Sequence, residues 1–432
     1  MLDAAIRLVV GNESDAELSH ALRAANDPLA GFVYCVVTAQ YANVSRLQID
    51  LLKSLGKTDR LLANRVVTRQ GRTELVCAWL VAERIDTLVI GHAYGLRADG
   101  WESAATWATA AGAHLWVVSG ENRVRRGQRD LAKRLNMEIA SADDLLSELA
   151  GRDAVKAPVA TTPGFPPVPN DDFPTFIAAC KSLLSGDDFE RVAARYAQAV
   201  HETAAALRGF KEVPPADAAA LLRTLTESCS SAYEALVVVR GAASLLFLAD
   251  LLVAVDLPVF YSVKGPGRST LDRSVARLLR AYSRPRTSSL AVMALLVPGG
   301  EVHRLLQVDI DDVDPNGYRV RVGDRLVAIP DEAQGIIRAQ RLLRLSQQDR
   351  LDDSFFAAHT PHPGFPRMDM TKFAIELRGV SRDTGLMFSD SPGTSQGESA
   401  EEWTRRVGVN VRRLWPEAPR GAWRARGVST HA

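Results

Sequence analysis

The sequence predicts an α/β N-terminal domain built on a parallel sheet with flanking helices, followed by an all-α helical domain and a C-terminal mixed α+β domain. Three observations predict this. Short apolar runs alternate with helical periodicity over residues 1–150. Proline clusters across residues 151–172, breaking helix and ladder alike. Beyond that linker the pattern is helical to about residue 255, after which a hairpin pattern appears among further helices.

In the first domain, residues 6–10, 32–37, 87–90 and 113–118 read as buried strands: short, rich in β-branched or aromatic residues, and bounded by Gly or polar residues. Residues 17–25, 44–55, 73–84 and 100–111 between them carry apolar residues at helical spacing. A weaker strand at 138–140 precedes Ser141, which reads as the N-cap of a helix ending near Gly151. Residues 173–264 form the helical domain, with four helices and turns at Ser185-Gly, Gly209 and Pro214-Pro; Ser228, Ser230 and Ser231 fall inside a helical run. Residues 265–432 form the mixed domain. Its hairpin pairs 318–322 with 326–329 across Gly323-Asp-Arg. Helices follow at 332–345 and 369–378, and the Ser/Gly/Glu-rich stretch 389–401 reads as a mobile loop.

Net charge is +1, so no global field draws the chain to nucleic acid or membrane. Alanine and arginine dominate and lysine is scarce, the usage of a GC-rich bacterial genome. Asp3 and Arg7 interrupt the N-terminus, which is no signal peptide. Arg240, Asp250 and Asp256 break the longest apolar stretch, 235–260, which reads as a buried helix. Cys35, Cys77, Cys180 and Cys229 are far apart and read as buried free thiols, pointing to the cytoplasm.

A phosphate-cradling loop requires Gly, Lys and Ser/Thr between a strand and a helix. The place exists after strand 6–10, where Gly11 stands as the first glycine and Ser19 as an out-of-register remnant. Lys and a second Gly are missing, and Glu13, Asp15 and Glu17 repel a triphosphate. The stretch Ile85-Asp-Thr-Leu-Val-Ile-Gly-His-Ala-Tyr-Gly-Leu-Arg97 resembles the Walker B strand of AAA-type ATPases, making the domain P-loop-like. The order of elements downstream also resembles that family, with Ser119 ending the strand where a sensor residue is placed. The resemblance covers roughly residues 1–125 and implies a magnesium-organising Asp at Gly91 and a water-polarising Glu at His92. Both are absent. No resident cofactor is expected, ATP with magnesium being disfavoured; Gly11, Ser19 and His92 are the residues of a degenerate nucleotide site. His92 is also read as an ordinary loop histidine, and Asp86 as a charge at the start of the strand.

The chain after residue 170 resembles a tyrosine recombinase (phage integrase). Residues 289–314 follow the family's rhythm of apolar helix, turn, second helix and Asp-Ile-Asp ending; the hairpin and Val-Ala-Ile-Pro330 follow in the same order, then Asp353-Ser-Phe-Phe. The resemblance implies a core-binding-like helical domain and a catalytic set of Arg, His, Lys and Tyr. Glu301 falls where the first Arg is implied, Arg325 lies near the Lys position, and no Tyr follows Tyr318. Strand cleavage is not expected.

The segment Trp403–Trp415 is the most basic. Arg405, Arg406, Arg412 and Arg413, interleaved with Trp403 and Trp415, are candidates for DNA contact, the alternative being a terminal helix with a solvated basic face. A second basic stretch at 123–134 reads as a solvated helix. His359 and His362 lack a third metal ligand and read as an exposed loop, and Lys264-Gly-Pro-Gly-Arg268 reads as a hinge. The expected function is that of a non-catalytic accessory or regulatory protein derived from recombination or transposition machinery. Its partner would be duplex DNA or a protein of such a complex, and not a membrane. Alternatives are an ATPase or nucleotide sensor with non-standard residues, and a protein-interaction scaffold docking through the helical domain.

Overall fold

A computed structural model describes residues 5–11, 16–38, 42–57, 69–120, 126–150, 165–262, 265–347, 353–362, 365–388 and 398–414. The chain begins with β1 (Ile6–Gly11), α1 (Ala16–Ala25), β2 (Phe32–Val36), α2 (Val44–Ser54), α3 (Arg69–Ala82) and β3 (Thr87–Gly91). It continues through α4 (Ala98–Ala111), β4 (His114–Gly120), α5 (Arg126–Arg134), β5 (Glu138–Ala140) and α6 (Ala142–Ala150). The five strands form one sheet in the order β2-β3-β4-β1-β5, parallel throughout. β3 is buried at every position, as a strand covered on both faces must be. One face packs Val9, Tyr34, Val89 and Trp116 against Leu18 and Leu22 of α1 and Leu145 of α6. Local chemistry sets several boundaries. Asn43 caps α2 by accepting from the Arg46 N–H, and Gly112, at φ +68°, closes α4 in the left-handed conformation.

Next come α7 (Phe173–Leu183), α8 (Gly186–Ala206), α9 (Pro215–Glu227), α10 (Ala232–Leu248), β6 (Leu251–Val255) and α11 (Leu257–Phe260). α12 (Arg273–Arg280), α13 (Pro285–Leu296), β7 (Arg319–Val322), β8 (Arg325–Ala328), α14 (Asp331–Ser346), β9 (Ala357–His362) and β10 (Phe365–Arg367) follow. The described chain ends with α15 (Met370–Thr384), α16 (Ala400–Val407) and β11 (Val409–Arg413). β7 and β8 form the antiparallel hairpin, Arg319 opposite Ala328 and Val322 opposite Arg325. Val320, Val322 and Val327 are buried while Arg319, Arg321 and Leu326 face outward, the alternation of a half-buried ribbon.

Two compact units emerge: Met1–Thr162 with Leu271–Met370, and Pro163–Thr270 with Thr371–Ala432. The sequence reading places 265–432 in one continuous domain, whereas this division groups residues 271–370 with the parallel sheet. Within the first unit the tie is chemical. Trp79 of α3 donates its indole N–H to the Ser283 carbonyl at 2.6 Å, and Arg338 of α14 donates to the Ala82 carbonyl at 2.7 and 3.0 Å. Lys57, fully buried, lies 3.3 Å over the Trp79 ring and donates to Glu83 at 3.0 Å and to the Arg280 carbonyl at 2.8 Å. Arg280 pairs with the same carboxylate. In the second unit α10 is the core helix, its Leu236, Val239 and Leu246 packed in one cluster with Phe176, Val192 and Trp403.

Four expectations change. Residues 251–255 are a strand, because Asp250 turns left-handed at φ +62° after α10 and β6 then pairs antiparallel with β11. The break inside the helical run falls at Ser228–Ser231: Ser231 caps α10 by accepting from the Glu234 N–H, and Glu234 accepts from Ser230 in return. Residues 403–414 are the end of α16 followed by strand β11, not one terminal helix. His359 and His362 lie in β9, so their backbone belongs to a ladder rather than a loop. Most of the expected mobile stretch, 389–397, lies outside the described residues. No described helix is long and apolar enough to cross a membrane.

Candidate functional site

Strand order dictates where a ligand site in the parallel sheet belongs. The chain leaving β1 crosses to β2 at one edge, and the chain leaving β4 passes β1 to reach β5 at the other. Right-handed crossovers in opposite directions send the two connections to opposite faces. The loops therefore diverge at the carboxyl ends of β1 and β4, the switch point at which open α/β sheets take ligands. Gly11 and Gly120 end these strands in direct register. Residues 12–15 and 121–125, which continue from them, lie outside the described residues.

Ser119, opposite Val10, is fully buried, and its hydroxyl has no hydrogen-bond partner; such an orphan costs about 1–3 kcal/mol. Ser19, expected as a loop remnant, lies within α1 and is half-buried, because the helix already begins at Ala16. Gly91 ends β3 beneath Tyr34 of β2: a Cβ at position 91 would stand 2.7 Å from the Tyr34 hydroxyl oxygen. Tyr34 thus occupies the room that a magnesium-organising carboxylate would need. Sequence reasoning missed this residue, which looks like one more apolar position of a buried strand.

His92 follows at φ +55°. The other described non-glycine residues with positive φ, Arg84, Asn136 and Asp250, each follow a helix end. His92 alone of these four follows a strand, in a conformation that costs of order 1–3 kcal/mol. The turn is held by the Trp101 indole, which donates to the Ala93 carbonyl at 3.0 Å, and by Ala42, whose N–H donates to the Gly95 carbonyl at 2.8 Å. The His92 ring is half-buried with its centroid 6.1 Å from that of Tyr94. The structure brings Gly11, Ser119, Gly91 and His92 to one end of the sheet. Among the described residues no three His, Cys, Asp or Glu side chains converge for a metal ion.

The C-terminal arginines do not act as one stripe. Arg406 holds Glu398 through two bonds of 2.7 and 3.0 Å and donates to the Gly265 carbonyl. Arg413 pairs with Glu212. Arg405 and Arg412 are exposed. Trp403, expected to stack on DNA, is fully buried in the core of its unit, and Trp415 lies outside the described residues. Glu301 sits in a 3-10 segment, 299–307, with Arg304 at 3.9 Å.

A cationic surface that the sequence reading passed over lies on the hairpin. Arg319 and Arg321 project from the outer face of β7, flanked by Tyr318 at 44% exposure and Leu326 at 55%. Arg325 stands exposed at the turn, where Asp324 is the one opposing carboxylate between 318 and 328. The Arg-Val-Arg-Val alternation was the available signal. No family model matches the chain, and no curated protein or solved structure is similar to it.

Proposed function

We propose that the chain is a non-catalytic accessory or regulatory protein that associates with DNA, derived from the recombination or transposition machinery of mobile elements. The observation that carries this reading is the β7–β8 ribbon, with Arg319, Arg321 and exposed Leu326 on its outer face and Arg325 exposed at its turn. A two-stranded ribbon is narrow enough for the major groove of a duplex, and the guanidinium groups suit phosphate oxygens. The non-catalytic half is supported by Tyr34 filling the space over Gly91 and by Glu301 where the recombinase resemblance implies a cation. Exposed Arg405 and Arg412 are a secondary contact in this reading. The test is fluorescence anisotropy of duplex DNA across a salt series. Arg319→Ala/Arg321→Ala is expected to lower the slope of log affinity against log salt by about 2, close to one unit per phosphate contact. No binding at low salt, or an unchanged slope in the double variant, overturns it.

A second reading is favoured by Ser119. Its buried, unpartnered hydroxyl at the switch point suits a nucleotide sensor on a P-loop-like domain that has lost hydrolysis. It requires ATP with magnesium to raise the unfolding temperature, since a ligand bound only to the folded state stabilises it. A flat response at millimolar nucleotide disposes of it.

A further inference from the structure

We infer that the groove between α1, β2 and α2 is a binding site for a small metabolite carrying an oxyanion, a phosphate ester or a carboxylate. The groove has a volume of about 290 Å³, at the lower end of the range for small-molecule sites. It lies at the β2 edge, away from the switch point.

Its groups are donors left over after the internal ones are satisfied. Backbone groups of β2 alternate: Val37 donates inward to Gly91 of β3, while on the outer edge Phe32 exchanges both bonds with Asp27 and Tyr34 donates to the Asn26 side-chain oxygen at 2.8 Å. By the same alternation the Val36 N–H turns outward, and Val36 lines the groove. The Asn26 oxygen being taken, its amide N–H groups remain. Asp50, on the groove wall, accepts from Arg46 at 3.3 Å and from the Thr38 hydroxyl at 3.1 Å, so its charge is matched inside the protein. Arg23 and Lys53 then stand at the rim, exposed and without a carboxylate partner among the described residues. Each ends a helix, where a cation complements the dipole. That accounts for either cation alone but not for their convergence with an outward N–H and an amide. Donors without a matching acceptor call for an anion with several oxygens. Tyr34 lines the same groove and its hydroxyl lies against Gly91, so an occupant adjoins the residue that shapes the end of β3.

The test is thermal unfolding and calorimetry of the full chain with inorganic phosphate and, separately, malonate, each against chloride at matched ionic strength. Saturable stabilisation by phosphate alone identifies a phosphate ester, by malonate alone a carboxylate, and by both the shared oxyanion chemistry. Arg23→Ala/Lys53→Ala, both exposed and so compatible with the fold, is expected to weaken the response about tenfold or more. No saturable effect up to about 20 mM of either anion, or a response unchanged in the double variant, overturns the proposal.

Discussion

Replacing Glu83 by Gln leaves two buried cations without their shared counter-charge. The Lys57 and Glu83 side chains are 0% and 1% exposed and Arg280 is 17% exposed, so water cannot substitute for the lost carboxylate. Removing one partner of a buried ion pair costs about 3–5 kcal/mol. The lower end applies here because Lys57 can give up its proton: burial, then Arg280, already hold its ammonium well below its ordinary value of 10.5. The sign follows from linkage. A lysine whose folded value is lowered binds its proton more tightly when unfolded, so stability rises with pH up to about 10.5. Loss of the carboxylate lowers the folded value further, and the variant gains more from a rise in pH than the wild type does. Urea unfolding followed by tryptophan fluorescence at pH 7 and 9 is the assay. A loss of about 3 kcal/mol is expected at pH 7, shrinking at pH 9. A loss under about 1 kcal/mol at pH 7, or one that does not shrink, refutes the reasoning.

Two further outcomes are expected. Gly91→Ala forces its methyl into Tyr34 and is expected to destabilise by about 1–3 kcal/mol, less in a Tyr34→Ala background; equal losses in both backgrounds, by urea unfolding, contradict the packing argument. Burial pushes the Cys35 and Cys229 thiols up to about 12 and Cys180 to about 11. With the thiolate the reactive form, a disulfide reagent at pH 8 is expected to label them slowly in the native state and quickly in urea; rapid native labelling of these three counts against it.

Much of the fold was legible because neighbours in the chain decide it. Thr87-Leu-Val-Ile had to be a covered strand once Gly and charge bounded it. Arg319-Val-Arg-Val before Gly323-Asp-Arg could only alternate inside and outside as a hairpin. Leu251–Val255 misled for a matching reason: it continues the apolar run of α10, and a short apolar run has no period that separates helix from strand. Its partner β11 lies far away in sequence, so only the pairing reveals it.

The candidate site divides in the same way. The sequence alone determined that Gly11 has no accompanying lysine, that positions 91 and 92 carry Gly and His and no carboxylate, and that the first domain alternates strands with helices. The tertiary structure alone decided that β1 lies beside β4, which locates the switch point, and that Tyr34 covers Gly91. It also decided that Arg406 and Arg413 are held by carboxylates and that Lys57 and Arg280, 223 residues apart, meet at one glutamate. The reason is physical. Propensity, periodicity and capping act over a few residues and are written in local order, whereas compensation of a buried charge and closure of a sheet depend on partners that only the folded chain brings within 3 Å.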